Sequence, residues 1–340
     1  MSVILFLAFF LYCTSSALST KDDETALLKI NKQPGNPDIL QSWVKGFDFS
    51  NAAEKMAFQH NWYIRCSSTG RVIDLYLQNT DFTAPFPNVI CNLTELEFVG
   101  FYHSPWLYGS IPSCITQLYN LHQIVIAGTS LSGSVPSFYN HPNLTIINLS
   151  LNHLSGTIPS SFSTLPNLIQ LDLSFNYLTG TIPPQLVHTS HTSYPQLVLA
   201  NNSLTGELPR CYGWIDFGLI DLGNNQLSGD ASFLFGKQKK SFAKIILANN
   251  EFEFDLSYVE FSDNLYGFDL SHNKIYGKVP DSFATAAVLL DPNLSFNKLC
   301  GELPQGGSVG RFNAAVFANN TCLCGYPLPP CSASAPASSP

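Results

Sequence analysis

The chain has 340 residues, of which 45% are hydrophobic and 12% are charged, and it contains 22 glycines and 22 prolines. This composition excludes a collapsed globule and favours a turn-rich solenoid. The formal net charge of −8 argues against nucleic acid or an anionic membrane as a partner and favours a basic one.

Residues 1–19 predict a signal peptide, because a short apolar run ends in the small-residue pattern Ala17-Leu18-Ser19. A membrane anchor is the alternative, but the run is short for a span and no later stretch is long enough. We therefore expect a secreted protein without a membrane span. Six glycosylation sequons agree with export. They begin at Asn92, Asn143, Asn148, Asn201, Asn293 and Asn319.

Residues 20–71 predict an amino-terminal cap. Residues 22–43 favour a helix, since the acidic residues at their start suit the positive end of a helix dipole. Leu27, Leu28 and Ile30 are expected to cover the first repeat, whose strand would otherwise expose its apolar side.

One template, LxxLxLxxNxLxGxIP, recurs through the middle of the chain. It begins at Leu121, Leu144, Leu168 and Tyr194, so its period is 23 to 26 residues. This period and the leucine and asparagine positions are typical of a leucine-rich repeat. The alternating LxL core predicts a strand with inward-pointing leucines. Because one repeat cannot bury its apolar side alone, the repeats must stack.

Residues 72–304 accommodate ten such repeats, although the seventh and eighth lose the LxGxIP ending. The repeats begin near Val72, Leu96, Leu121, Leu144, Leu168, Tyr194, Phe217, Phe242, Leu265 and Leu289. The predicted fold class is an α/β solenoid. It is a plant-type leucine-rich repeat right-handed superhelix with a concave parallel β-sheet and a cap at each end.

The template asparagine is predicted to sit where the chain turns inward after each strand. Its side chain can satisfy buried backbone groups of its own turn and of the next repeat. Thr80 and Thr129 take this place in the first and third repeats. The predicted ladder consists of Asn152, Asn176, Asn202, Asn225, Asn250, Asn273 and Asn297.

The residues between and just after the LxL leucines predict a partner-binding surface on the concave side. Rigid strands would present them with little loss of entropy on binding. A solvated strand face without a partner is the alternative. The predicted surface consists of Gln123, Val125, Ile146, Asn148, Gln170, Asp172, Phe175, Gln196, Val198, Asp221, Asn224, Ile246, Asp269 and His272.

A second predicted surface follows the LxGxIP segments, which we interpret as turns. Its uncharged hydroxyl groups suit ice or a polysaccharide, and turn propensity is the simpler explanation. The hydroxyl residues are Ser132, Ser134, Ser155, Thr157, Thr179, Thr181, Thr205 and Ser228.

The sequence predicts no catalytic group, no cofactor and no metal site. His188 and His191 lie in a Ser/Thr-rich loop without a third ligand, which favours an ordinary surface loop. Lys237, Lys239 and Lys240 form a short basic cluster that we expect to be solvated, with contact to acidic pectin as the alternative. The scattered Ser, His and Asp residues show no nucleophile motif.

Residues 305–331 predict a carboxyl-terminal cap, and the Ser/Ala/Pro run 332–340 predicts a disordered tail. Of nine cysteines, Cys13 leaves with the signal peptide, and the remaining even number suits full pairing. The sequence leaves open the pairing of Cys66, Cys91, Cys114 and Cys211.

Several segments together resemble plant polygalacturonase-inhibiting proteins. They are the amino-terminal helix, the Trp62-Tyr63 entry with Cys66, the irregular seventh and eighth repeats, and the ending NKLCGELPQGG with CLCGYPLPPC. The resemblance covers roughly residues 21–331. The same family includes the carrot antifreeze protein, so its fold admits at least two functions.

The resemblance implies secretion to the plant cell wall and inhibition of fungal or insect endopolygalacturonases, whose cleft the concave sheet would cover. It also implies the disulfides Cys300–Cys322 and Cys324–Cys331. The amino cap departs from the family, because an early cysteine and a cysteine pair before Trp62 are missing. The concave face departs too, where Asn148, Val198 and Ile246 stand in place of the usual Asp.

We therefore expect a secreted, monomeric cell-wall protein that binds and inhibits a microbial polygalacturonase and performs no reaction itself. An ice-binding, antifreeze-type surface on the same scaffold is the second hypothesis. Recognition of a peptide or glycan in plant defence is the third.

Overall fold

The computed structural model describes residues 21–31, 62–79, 83–188, 194–241, 243–307 and 309–331. The predicted signal peptide, the rest of the predicted helix 22–43, Thr80, His191 and the tail 332–340 lie outside the described residues. Among the described residues, no helix has the length and apolar character needed to cross a membrane.

The described residues form two helices and a long series of short strands. The helices are α1 (Lys21–Asn31) and α2 (Asp281–Thr285). The strands are β1 (Trp62–Cys66), β2 (Val72–Gln78), β3 (Ala84–Pro85), β4 (Phe98–Ser110), β5 (Gln123–Ser134), β6 (Ile146–Asn148), β7 (His153–Thr157), β8 (Gln170–Asp172), β9 (Tyr177–Gly180), β10 (Gln196–Val198), β11 (Ser203–Glu207), β12 (Leu219–Asp221), β13 (Gln226–Gly229), β14 (Lys244–Ile246), β15 (Glu251–Phe252), β16 (Gly267–Asp269), β17 (Tyr276–Gly277), β18 (Asp291–Asn293), β19 (Lys298–Glu302) and β20 (Cys322–Cys324).

The LxL segments of successive repeats pair in parallel and form the concave sheet. Ile147 of β6 lies beside Leu171 of β8, which lies beside Leu197 of β10. The same register continues from β2 through the first halves of β4 and β5, and onward to β18. All three of these apolar side chains are fully buried, so one side of the sheet faces the core. The predicted leucine-rich repeat solenoid is confirmed.

The LxGxIP segments form a second parallel sheet, so interpreting them as turns was wrong. β7, β9, β11 and β13 pair with one another, and β7 pairs with the second half of β5. The glycine of one strand lies opposite the leucine of the next, as in Gly156 and Leu178, so successive strands are staggered by two residues. Gly156 has φ +82°, which suits glycine. Turn-forming residues build strands here because the neighbouring repeats supply the hydrogen-bond partners.

Caps close both ends of the solenoid. At the amino end, α1 buries Ala26, Leu27 and Ile30, and β1 pairs antiparallel with β2. At the carboxyl end, β20 pairs with β19 and extends the stack beyond the last predicted repeat. The apolar side that a terminal repeat would expose is therefore covered.

Three disulfides occur among the described residues. Cys300–Cys322 and Cys324–Cys331 link the carboxyl-terminal cap, which is the pairing that the resemblance implies. The third, Cys91–Cys114, joins the 3₁₀ segments Asn88–Asn92 and Ser113–Gln117 of the first two repeats. Cys211 is in no disulfide.

Candidate functional site

The asparagine ladder connects each repeat to the one before it. The Oδ1 atom of Asn176 accepts a hydrogen bond from the Leu154 N–H at 2.9 Å. Its Nδ2 atom donates to the carbonyls of Leu149 at 3.0 Å and Leu173 at 3.1 Å. Leu149 and Leu154 belong to the preceding repeat, so the bridge runs backward rather than to the next repeat as we expected. A buried amide with partners in two repeats holds the strand spacing constant.

Five other predicted ladder residues have the same arrangement. They are Asn202, Asn225, Asn250, Asn273 and Asn297. Asn152 also donates its Nδ2 to a carbonyl of the preceding repeat, that of Ile126, but its Oδ1 has a side-chain donor instead of a backbone N–H. In the third repeat, Thr129 donates its hydroxyl to the Oδ1 atom of Asn152. The sequence interpretation missed Asn320, which accepts from the Leu299 N–H at 3.1 Å. Asn320 lies 23 residues after Asn297, so the period alone could have identified it.

The concave sheet presents a row of acidic and apolar residues in register. Asp172, Val198, Asp221, Ile246 and Asp269 lie beside one another on consecutive strands β8 to β16. All five are partly exposed, on the side opposite the leucine core. The row therefore alternates carboxylates with aliphatic side chains along the face that we predicted for binding.

Each carboxylate in this row also has a local structural partner. The Oδ1 atom of Asp172 accepts from the N–H of Ser174 at 3.0 Å and from its hydroxyl at 2.7 Å. Asp221 and Asp269 accept from the backbone N–H two residues further on, at 3.0 and 2.9 Å. These bonds close an Asx-type turn at the end of each strand.

Partial burial raises the pKa of Asp172, and the hydrogen bonds from Ser174 act in the opposite direction. Burial also raises the pKa of Asp221, where repulsion from Asp172 and Asp269 adds to the effect. The Gly223 N–H and the Lys244 charge counteract that rise. The row is thus a place where negative charge is concentrated and incompletely solvated.

A second exposed row has a left-handed backbone. Leu151, Phe175 and Phe296 have φ values of +55°, +54° and +56°. Equivalent positions in other repeats hold asparagine, such as Asn201 and Asn224, which tolerates this conformation better. The sequence interpretation included Phe175, Asn224 and His272 but missed Leu151 and Phe296, which occupy the same template position.

Leu151 and Phe175 combine backbone strain with exposure. Their side chains are 43% and 50% exposed on adjacent repeats. The Phe175 N–H donates to the Ala200 carbonyl at 2.9 Å, which holds the backbone in place. Further along the row, the rings of His272 and Phe296 stack at 4.0 Å. An exposed apolar side chain at a strained position is a candidate binding contact.

The remaining predicted concave residues lie on the same exposed side. Gln123, Val125, Ile146, Asn148, Gln170 and Gln196 are at least partly exposed at the positions between the buried apolar residues of β5 to β10. An open depression of about 330 Å³ adjoins the row at its carboxyl-terminal end. Lys244 and Asp291 line this depression and form an ion pair at 2.9 Å. It is a surface feature and does not enclose a small ligand.

The exposed side of the second sheet carries hydroxyl groups and aromatic rings, and we call it the lateral face. Its residues include Trp106, Tyr108, Ser132, His153, Ser155, Tyr177, Thr179 and Thr205. Thr157 lies beside Thr179, and Thr179 lies beside Ser203. His153 and Tyr177 interrupt the hydroxyl rows, since they lie opposite Ser132 and Ser155.

The basic cluster at residues 237–240 is not uniformly solvated, which corrects our expectation for Lys239. Its Nζ atom donates to the carbonyls of Gly213 at 2.6 Å and Ile215 at 2.9 Å. Burial lowers the pKa of Lys239, and Asp216 counteracts the effect. Lys239 therefore ties one repeat to the next and is not available to a polyanion.

The sequons differ in accessibility. Asn92, Asn143 and Asn319 are exposed, whereas Asn148, Asn201 and Asn293 are partly buried. Within the described ranges, no group of three or more His, Cys, Asp or Glu side chains is placed to hold a metal ion. His188 is partly buried, and its Nε2 atom has no hydrogen-bond partner among the described residues.

Comparisons with known proteins agree with this geometry. A leucine rich repeat family model matches residues 115–191, and a second matches residues 264–286. Polygalacturonase inhibitor 2 of Arabidopsis thaliana is 39% identical over 337 residues, covering 97% of this chain and 98% of the relative. Leucine-rich repeat protein FLOR 1 of the same plant is 36% identical, covering 96% and 98%. The crystal structure of a plant ice-binding protein superposes with a TM-score of 0.83 at 36% identity, covering 93% and 99%.

The fold and the two exposed sheet faces define a leucine-rich repeat protein whose strands present side chains to solvent on both sheets. The full-length similarity makes the relationship more specific. The chain belongs to the polygalacturonase inhibitor family of leucine-rich repeat proteins.

Proposed function

We propose that this protein is a secreted cell-wall inhibitor of fungal or insect endopolygalacturonase that covers the enzyme's cleft with its concave face. Its relatives named polygalacturonase inhibitor match nearly the whole chain. Inhibition by obstruction needs a rigid surface and requires no reacting group. The row from Asp172 to Asp269 provides such a surface. Because strands hold this row, little entropy is lost when it binds.

The observation that carries the proposal is that the concave face keeps side chains that the fold does not need. Asn148 makes the same local hydrogen bonds as Asp172 without a buried charge. Asn201 occupies the left-handed position of Leu151 and Phe175 without exposing an apolar side chain. Exposed side chains that lie close together and lower the stability of the fold are typical of binding sites.

The chemistry of the face favours an enzyme with a basic, partly apolar cleft rim. Asp172, Asp221 and Asp269 would pair with Lys or Arg of the enzyme, while Phe175 and Leu151 would pack against apolar side chains. Such a mixture resembles an interface whose aromatic contacts give affinity and whose charges speed association. The proposal therefore includes an association rate that falls with added salt.

Secretion to the plant cell wall and a monomeric state are parts of the same proposal. The apolar segment 1–19, the three disulfides and the six sequons all suit an exported protein. Asn92 and Asn143 are exposed and lie outside the strands of the concave sheet, so a glycan at either is compatible with binding.

An inhibition assay against a panel of fungal and insect endopolygalacturonases tests the proposal. We expect at least one enzyme to be inhibited, and we expect Asp172→Lys to weaken that inhibition at least about tenfold. Glu260→Lys is the matched control, because Glu260 is exposed and lies outside the concave sheet. Failure of the unmodified protein to inhibit any enzyme, or equal inhibition by the two variants, would contradict the proposal.

Ice binding is a second candidate, favoured by the similarity to the plant ice-binding protein and by the hydroxyl rows of the lateral face. His153 and Tyr177 interrupt those rows, so we place this function second. Ice recrystallisation in the presence of the protein measures it directly. Suppressed recrystallisation together with no enzyme inhibition would reverse the order of the two candidates.

A further inference from the structure

The lateral face exposes aromatic rings that the concave face does not use. Trp106 is 55% exposed and Tyr177 is 61% exposed. Trp106 and Tyr108 flank the buried Leu107 on β4, so both project outward from the same strand. Large aromatic side chains rarely stay in water without a reason, because burying them in a complex is strongly favourable.

Two of these rings are nearly parallel. The His153 and Tyr177 rings lie on neighbouring strands and stack with centroids 5.8 Å apart and planes only 13° apart. Tyr108 lies more than about 14 Å from Tyr177, because three strand spacings separate their strands and the stagger also displaces the two residues along the strands. Rings therefore occur at both ends of a strip as long as a short oligosaccharide.

Hydroxyl groups lie between and beside the rings. Ser132 donates its hydroxyl hydrogen to the Gly109 carbonyl at 3.3 Å, and Thr179 donates to the Gly156 carbonyl at 3.3 Å. Because each hydroxyl hydrogen points to the preceding repeat, the oxygen presents its lone pairs to solvent. The strip therefore offers acceptors to a ligand that carries many hydroxyl donors.

The same part of the chain is almost free of charge. Residues 98–206 contain no Lys, Arg or Glu and a single Asp. This residue is Asp172, which lies on the concave sheet. The sequence contains no Lys or Arg between Arg71 and Arg210. A polyanion such as pectin would find no cation here, and it would be repelled by a protein of net charge −8. A neutral ligand has neither disadvantage.

We infer that the lateral face binds a neutral polysaccharide whose sugar rings carry equatorial substituents, such as a β-linked glucan. The C–H groups on the flat side of such a ring carry partial positive charge and pack against the negative face of an aromatic ring. The sugar hydroxyls at the ring edge donate to Ser132 and Thr179. This activity is separate from enzyme inhibition, because it uses the second sheet rather than the concave sheet.

Affinity electrophoresis in a gel containing soluble mixed-linkage β-glucan tests this inference, with polygalacturonic acid in a parallel gel. We expect retardation by the β-glucan and none by polygalacturonic acid. The double variant Trp106→Ser/Tyr177→Ser should bind about tenfold more weakly. Serine occupies the equivalent positions at Ser130 and Ser203, so the fold accommodates the change. Trp214→Ser is the control, since Trp214 is 91% exposed and lies on the segment Arg210–Trp214, outside the second sheet.

The salt dependence of glucan binding and the inhibition of polygalacturonase by the double variant are two independent measurements. Retardation by β-glucan should persist from about 0.01 M to about 1 M salt, over which the Debye length falls from about 30 Å to about 3 Å. The double variant should still inhibit polygalacturonase, so loss of glucan binding and loss of inhibition are distinguishable. The inference is overturned by absent retardation, by stronger retardation in polygalacturonic acid, or by equal retardation of the double variant and its parent.

Discussion

Asp172 and Asn148, on adjacent strands of the concave sheet, accept the same two hydrogen bonds at the same distances. Each Oδ1 atom receives a backbone N–H at 3.0 Å and a serine hydroxyl at 2.7 Å, from Ser174 and Ser150 respectively. A neutral amide therefore satisfies this position as well as a carboxylate does. The negative charge of Asp172 is an addition to the structural requirement, and it suits a surface that recognises a basic partner.

The first prediction is that Asp172→Asn stabilises the protein at neutral pH while weakening inhibition. Burial raises the pKa of Asp172 in the folded state, so the folded protein binds this proton more tightly than the unfolded chain does. Stability therefore falls as pH rises from the unfolded value, about 3.9, through the raised folded pKa, and the ionised form carries a constant penalty above it. Asparagine has no such penalty.

Urea denaturation at about pH 7 and about pH 4 measures this effect, and the stability difference between variant and parent should shrink at the lower pH. The substitution creates a sequon with Leu173 and Ser174, so both proteins are made in a host without N-glycosylation. A variant that is less stable than the parent at neutral pH would show that the charge has a structural role.

A second prediction concerns the left-handed backbone at Phe175. Phe175→Asn should stabilise the protein by about 1 kcal/mol, because asparagine tolerates the left-handed region better than phenylalanine does. Inhibition should weaken at least about tenfold, since an exposed aromatic contact is lost. Gln185→Asn is the control, because Gln185 has φ +56° but lies outside both sheets. Unchanged inhibition by Phe175→Asn would remove this residue from the proposed interface.

Third, Asn176→Ala should destabilise the protein by about 3 kcal/mol. The change leaves the buried Leu154 N–H without its side-chain acceptor. It also removes one of the two asparagine hydrogen bonds that the Leu149 and Leu173 carbonyls each accept. Asn167→Ala is the matched control, since Asn167 is exposed and donates one hydrogen bond, to the Pro142 carbonyl. That variant should change the free energy of unfolding by no more than about 0.5 kcal/mol. Similar values for both would mean that the ladder does not hold the repeats together.

Fourth, the amino-terminal cap should depend on one buried carboxylate. Asp23 of α1 is fully buried, and its Oδ2 atom accepts from Arg71 Nε at 3.0 Å and from the Val72 N–H at 2.8 Å. Asp23→Ala leaves both donors without this partner and should cost about 3 kcal/mol. Asp22→Ala, at an exposed neighbour, should cost little. Hydrogen exchange in β2 is the measurement, and unchanged protection in Asp23→Ala would show that the cap is held by other contacts.

Fifth, the Cys91–Cys114 disulfide should stabilise the amino-terminal repeats. It closes a loop with a sequence separation of 23 residues, for which the chain-entropy model gives about 3 kcal/mol. The double variant Cys91→Ser/Cys114→Ser should lose about this much in urea denaturation. Cys211→Ser serves as the control, because Cys211 is in no disulfide. An unaffected double variant would mean that the bridge does not constrain the unfolded chain.

The repeat architecture could be predicted from the sequence because its signal is local and periodic. The LxL alternation at Leu171 and Leu173 and the asparagine at Asn176 specify a strand and a turn in one short segment. The second sheet could not be predicted in this way. A single segment of Ser, Thr and Gly residues, such as 153–157, favours a turn, and it becomes a strand only because β5 and β9 lie on either side of it.

Part of the candidate site could likewise be predicted from the sequence, and part could not. The sequence predicted the exposed row from Gln123 to His272, since exposure follows from alternation with buried leucines. It did not reveal that Leu151 and Phe175 have a left-handed backbone, that the half-buried Lys239 donates to two carbonyls, or that His153 stacks on Tyr177. Each of these facts depends on groups supplied by a neighbouring repeat.

By itself, therefore, the sequence determined the repeat, its period and the ladder positions, because each of these is encoded within about 24 residues and then repeated. It also indicated the family, through the non-repeating segments at both ends and the irregular seventh and eighth repeats. The tertiary structure alone decided which residues meet across repeats. These contacts set the charge density around Asp172, the stacking of His153 on Tyr177, and the hydrogen bond from Arg71 to Asp23. They depend on stacking geometry, which brings together residues more than twenty positions apart in the chain.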